Sequence, residues 1–272
     1  MTFTDYASTE GVNWSTLKYL RESPLHYQHA LVAPHKDTTN MALGRAIHAL
    51  VFEPQIFERE FAIYEDGDRR GKAWEAFKDA HAGQTILKVN EIEAVAAAAN
   101  AVRAHPLVAP YLVGGQFEQP VTWTDPVTGL ACKAKPDHLH PATRTLIDLK
   151  SSTTIDAFRF GRIAARFGYH CQLAHYRAGV TLGLGWEPAE VLIVAVESEA
   201  PHDVGVFVLD DDTLFAGAEE VATLLARLKQ CRESGQWPGR YPERAALLLP
   251  AYVFGDEDDE DATAGLTFKE TP

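Results

Sequence analysis

Asp137 and the triplet Asp148-Leu149-Lys150, with ten residues between the two acids, are the part of this 272-residue sequence whose residue types and spacing could do chemistry together. The intervening stretch reads as strand, turn, strand. Side chains alternate along a strand, so Asp148 and Lys150 share one face while Ile147 and Leu149 point the other way into the core. If the two strands pair as a hairpin, Asp137 lies opposite Asp148, and two carboxylates brought together repel unless a cation sits between them. Magnesium suits such a place: it takes oxygen ligands at about 2.0 to 2.1 Å, retains waters, and accepts a backbone carbonyl and a scissile phosphate as further partners. Lys150 could then orient a metal-bound water or help to deprotonate it, while the metal polarises the phosphoryl oxygen and stabilises the leaving group. Read alone the pattern is weak, because acids and lysines on solvated strand faces are common.

Two further pairs keep company with it. Gly44 and His48 stand at i and i+4 on one helical face, where the glycine permits close approach and the imidazole can add a nitrogen ligand; a histidine on a small-residue face can equally be a satisfied core residue. Gln172 and Tyr176 share a face of a later helix, where amide and phenol could hold a phosphate or the attacking water.

In the order GxxxH, PD, DxK and QxxxY, these four elements resemble the motif set of the RecB-type branch of the PD-(D/E)xK nucleases, and most closely the RecE-like group, the exodeoxyribonuclease VIII type. The fragments SPLHYQHAL, GRAIHALVFEP, GDRRGKAWEAF, TGLACKAKPDHL, IDLKSS and YHCQLAHY agree, and the resemblance spans roughly residues 10 to 235. It implies that Asp137 and Asp148 are metal carboxylates with the Leu149 carbonyl completing the shell, that Lys150 is the catalytic lysine, that His48 is a further metal ligand, and that Gln172 and Tyr176 organise substrate. Asp148 stands where many members carry glutamate. It also implies Mg²⁺ as cofactor with Mn²⁺ as substitute, 5′ to 3′ digestion of duplex DNA ends to leave 3′ single-stranded tails, a homo-oligomeric ring of three or four subunits, and a RecT-like single-strand annealing partner. The setting would be a bacterial cytoplasm or a phage genome.

Other residues invite smaller expectations. Glu118 might add a third carboxylate, although a surface strand end is the plainer reading. Arg69, Arg70 and Lys72, in a glycine-flanked loop, could grip a DNA end or simply be solvated. Arg159, Arg162 and Arg166 recur at helical intervals beside the catalytic hairpin and could form a phosphate track or an ordinary solvated face. His138, His140, His170 and His175 do not read as a zinc site, since no paired cysteines or HExxH helix accompany them. Three scattered cysteines likewise exclude a four-cysteine iron–sulfur cluster.

The elements that must position these residues follow from the patterning. Two short helices near residues 14 to 32, capped at Asn13 or Ser15, precede a buried helix running to Pro54. A strand, a polar loop and a helix beginning near Ala73 come next, then an alanine-rich helix capped by Asn90 that ends before Pro106. From Phe117 alternation predicts three consecutive antiparallel strands, followed by two helices, two strands and a final helix. The expected fold is α/β, with a restriction-endonuclease-like core: a central mixed sheet flanked by helices, and an N-terminal helical part over about residues 10 to 110 ahead of the catalytic sheet and helices at about 115 to 235. One domain over residues 1 to 254 and an acidic, disordered tail over 255 to 272 are expected.

The hydrophobic share of 46% and charged share of 23% are those of an ordinary globular chain. A net charge of −13 argues against nucleic acid until its distribution is considered: Lys133 to Arg177 holds eight Lys or Arg against three acids. No apolar run is long enough to span a membrane, and widely spaced Cys132, Cys171 and Cys231 suit a reducing cytoplasm. A nuclease of single strands, flaps or internal sites and a DNA-end binding module that does not cut remain the competing expectations.

Overall fold

The computed structural model describes residue 6 and residues 8–33, 38–65 and 67–249; the acidic run from Asp256 to Asp261 lies outside them. The N-terminal part is helical, and three of its segments start on a side-chain cap that satisfies a free backbone N–H. Asn13 caps α1 (Trp14–Leu17), which tightens into a 3-10 turn at Lys18–Arg21. Ser23 caps α2 (Pro24–Val32), with proline in the first turn where its missing N–H is harmless. Thr38 caps α3 (Thr39–Phe52), and Pro54 opens α4 (Pro54–Glu60), a short helix that the sequence pattern did not reveal.

Next, β1 (Phe61–Tyr64) and β2 (Thr85–Lys88) pair in parallel around α5 (Gly71–Ala80). β2 was not expected: four residues are too few for alternation to register. The alanine-rich helix, α6 (Val89–Ala104), starts a residue before the expected cap at Asn90, because the Glu91 carboxylate accepts the Lys88 N–H at 2.7 Å and closes the helix there.

The expected three-strand meander is corrected in one respect. Its first run splits into β3 (Gln116–Phe117) and β4 (Val121–Thr124), and its second into β5 (Ala131–Ala134) and β6 (His138–His140). Pro120 and Pro136 stand at the breaks, where neither can donate to a ladder. β4 and β5 therefore form their own two-stranded sheet, while β3 and β6 join β7 (Thr145–Ser152). Beyond come α7 (Ala157–Phe167), α8 (Tyr169–Gly179) with a π-helical turn at Val180–Leu184, β8 (Glu190–Glu197), β9 (Val204–Val208) and α9 (Asp211–Ser234).

The main sheet runs β3-β6-β7-β8-β9, parallel between β7 and β8 and antiparallel elsewhere. Both of its faces are covered. Ile147, Leu149, Leu192 and Val194 pack on Ala46, Ile47, Ala98 and Val102 of α3 and α6, whereas Leu146, Val191 and Ile193 pack on Phe160, Leu173 and Leu214 of α7, α8 and α9. A third apolar cluster joins Trp14, Leu17 and Leu20 to Val121 and Trp123 of the outlying hairpin and to Leu224 and Leu228 of α9. The mixed sheet flanked by helices is the architecture that the pattern predicted.

Candidate active site

Three carboxylates stand in a row across the sheet. β6 and β7 pair with His138 opposite Ile147, so the next pair outward is Asp137 and Asp148. On the other side of β6, Phe117 faces His138, and the Glu118 N–H donates to the Asp137 carbonyl at 3.0 Å. Glu118 leaves β3 at φ +50°, a backbone conformation uncommon outside glycine that turns the chain where the pairing ends. Backbone pairing thus aligns Glu118, one residue past β3, and Asp137, one residue before β6, with Asp148 on β7.

Their surroundings are largely dry. Asp148 is fully buried; its Oδ2 lies 2.6 Å from Lys150 Nζ, two residues along the same face, and its Oδ1 accepts from Gln172 Nε2 at 3.0 Å. That amide also donates to the Tyr176 hydroxyl at 2.9 Å, so one turn of α8 latches onto β7. Asp137 Oδ2 accepts the Leu149 N–H at 2.8 Å. Burial, and then the Asp148 charge, push the Asp137 carboxyl up to about 8. Burial and Asp137 likewise raise Glu118, against the pull of its ion-pair partner Lys135. Burial by itself would lower Lys150; the two aspartates outweigh it and hold the ammonium above its ordinary value.

His48 reaches this row from α3. Its Nε2 lies 2.7 Å from the Leu149 carbonyl, which can only accept, so Nε2 carries the proton and the Nδ1 lone pair faces Asp137 Oδ2 at 3.6 Å. Burial and then Lys150 lower the imidazole, keeping it neutral and able to ligate. A β-carbon on Gly44 would stand 3.2 Å from Ser151 Oγ, so the glycine lets α3 approach β7 closely enough for His48 to arrive.

Donor atoms of His48, Glu118 and Asp137 lie within 4.8 Å of one another. Three buried or half-buried carboxylates against Lys135 and Lys150 leave an excess of negative charge. Burial and the Asp148 charge both disfavour the ionised form of Asp137, and a cation placed among these groups would favour it. A hard divalent ion fits this oxygen-rich set with one imidazole. Beside the expected residues, half-buried Glu118 brings a carboxylate into this cluster, and Asp148 contacts Lys150 and Gln172. The Leu149 carbonyl meets His48 directly.

The expected DNA-gripping residues divide. Arg69 is taken up in the fold: its guanidinium donates to the Ile86 carbonyl at 2.7 Å and to Glu91 at 2.6 Å. Arg70 and Lys72 are exposed, with Arg70 paired to Asp68. Arg159, Arg162 and Arg166 all lie on the exposed side of α7. Of the histidines, His138 and His140 contact the backbone carbonyls of Tyr111 and Val113 and His175 that of Lys133, while His170 lies beside Cys171 and Glu220. Residues that sequence reasoning missed are Lys135, paired to Glu118, and Tyr169, whose ring lies 4.9 Å from Lys150 Nζ. Lys135, in KAKPD, was legible as a basic residue two before the motif aspartate; Tyr169 carried no signal.

Among the described residues no helix is long and apolar enough to cross a membrane. No curated protein matches the chain. By structure it is similar to a provisionally named exonuclease from Eubacterium rectale, at 14% identity and a TM-score of 0.64 over 98% of this chain and 99% of the other. A phage-related exonuclease from Haemophilus somnus 129PT aligns at 13% identity and a TM-score of 0.39, over 86% and 100%. The Eubacterium likeness shows a shared fold. A family model described as a PDDEXK-like domain of unknown function matches residues 13–248. The chain belongs to that PDDEXK-like family.

Proposed function

We propose that the chain is a Mg²⁺-dependent exodeoxyribonuclease of the RecE-like group, hydrolysing phosphodiesters from duplex DNA ends. The observation that carries this reading is the row Glu118, Asp137, Asp148 with Lys150 on the same strand face as Asp148. Glu118, Asp137 and His48 would hold the metal, with Asp148 beside them. A bound Mg²⁺ supplies Lewis acidity to the phosphoryl oxygen and a water of lowered pKa.

The chain's own groups do the rest. Lys150, kept cationic by the two aspartates, orients the attacking water and offsets charge on the phosphate. Gln172 and Tyr176 fix Asp148 from α8, so the acid keeps its rotamer when substrate enters. Arg159, Arg162 and Arg166 present cations along α7 that suit a phosphate backbone, and Arg70 and Lys72 do so on α5 and its loop. A 5′ to 3′ polarity, a ring of three or four copies and a RecT-like annealing partner complete the proposal and rest on the resemblance alone.

The test is digestion of linear duplex labelled separately at its 5′ and 3′ ends, with a closed circle beside it, in Mg²⁺ or EDTA and with Asp148→Ala as control. Early release of 5′ label with the circle spared is expected. If no DNA form is cut in Mg²⁺ or Mn²⁺, the catalytic reading fails and binding of duplex ends without cleavage is the reading to measure next.

A further inference from the structure

His170 and Cys171, in the first turn of α8, meet Glu220 of α9. Cys171 Sγ lies 3.3 Å from His170 Nε2 and 3.2 Å from Glu220 Oε2, and the nitrogen and oxygen are 3.7 Å apart. Three donors at these separations share a point about 2 Å from each, the length of a zinc bond to nitrogen or oxygen and slightly under that to sulfur. The other carboxylate oxygen, Oε1, accepts from Arg21 Nε at 2.7 Å. Arg21 is in turn tied to the Arg166 carbonyl at 3.1 Å. Glu220 is therefore oriented from behind with Oε2 left facing the thiol, as outer hydrogen bonds orient metal carboxylates.

We propose that His170, Cys171 and Glu220 bind one zinc ion that clamps α8 to α9. A soft sulfur with an imidazole and one carboxylate selects zinc over magnesium. Three protein donors leave a fourth tetrahedral position, and the side chains of His170 and Glu220, 21% and 32% exposed, open it to water. On loading, the Cys171 S–H bond breaks, its proton leaves to solvent and the sulfur pair forms the bond to zinc. Thiolate and carboxylate then balance the ion's two charges, so the positive end of α8 faces a neutral complex. The signature escaped the sequence because Glu220 is 49 residues from Cys171 and joins it only when α8 and α9 cross.

The site is separate from the nuclease reading and is tested without it. Folded Asp148→Asn protein is titrated with Co²⁺ in excess Mg²⁺, and absorption is followed in the sulfur-to-cobalt charge-transfer region. One equivalent of Co²⁺ should develop that band, and one equivalent of Zn²⁺ should abolish it. His170→Gln and Glu220→Gln, added singly, should each weaken binding at least about tenfold, and Cys171→Ser should remove the band. The two surface substitutions carry the test if Cys171→Ser does not fold by circular dichroism. Cobalt that binds without the band, a band that survives His170→Gln and Glu220→Gln at full affinity, or no binding by folded protein overturns the proposal and leaves a thiol hydrogen-bonded to Glu220.

Discussion

A carboxylate beside Asp137 in a dry row must find a cation, take up a proton or destabilise the fold, and Glu118 is the residue on which that choice turns. Lys135 answers part of its charge, while the donor atoms of His48 and Asp137 lie within 4.8 Å. Glu118→Gln keeps the shape and removes the charge. The Mg²⁺ concentration for half-maximal end digestion should rise about tenfold or more, as when a ligand or its support is lost. An unchanged Mg²⁺ dependence would make Glu118 an ordinary strand-end acid. Asp137, Asp148, Lys150, Gln172 and His48 were legible because spacing brings them to a strand face or a helix turn and because the four short motifs occur together in the order of the resemblance. Glu118 was legible only as a candidate third carboxylate beside the plainer strand-end reading, since its place depends on the β3–β6 register and on burial, neither of which two strand-like residues reveal.

The helices α8 and α9 cross backbone to backbone, and the crossing sets where α8 carries Gln172 and Tyr176. A β-carbon on Gly217 of α9 would lie 2.5 Å from the His170 carbonyl oxygen and 3.0 Å from the Cys171 nitrogen. Neither neighbour is a side-chain tip that could swing aside. Gly217→Ala should therefore lower stability by about 1–3 kcal/mol in urea unfolding, the usual cost of overpacking. Gly161 of α7 gives the opposite sign: nothing stands near its would-be β-carbon, so Gly161→Ala should stabilise by roughly 0.5–1 kcal/mol through helix propensity. A loss at both positions would mean that α7 packs against something its surroundings do not show. Helices were the best-read elements here, because twelve or more residues of period are enough to see. The strand runs were recognised as strands and joined too freely: alternation continues through Pro120 and Pro136, while the ladder cannot.

At the scale of the whole molecule, the N-terminal segment, the β4–β5 hairpin and α8 close over one histidine. His175 is fully buried, its Nε2 lies 3.3 Å from the Lys133 carbonyl, and Trp123 packs on the ring. Burial lowers it from 6.5 to about 4, against smaller opposing pulls from the Lys133 and Val12 carbonyls and from the Asp125 charge. The unfolded chain has none of that burial, so its imidazole titrates near the ordinary value. Between pH 6.5 and 4 the unfolded chain therefore takes up a proton that the folded chain refuses. Stability rises with pH across this window and is lost as pH falls through it. From pH 7 to pH 5 the loss assignable to His175 is on the order of 2 kcal/mol. Urea unfolding of the wild type and of His175→Gln at both pH values isolates it, since every other group is common to the two proteins. The wild type should lose more stability than the variant over the same step. Equal losses would mean that protonated His175 finds a counter-charge in the fold, with Asp125 the group to examine.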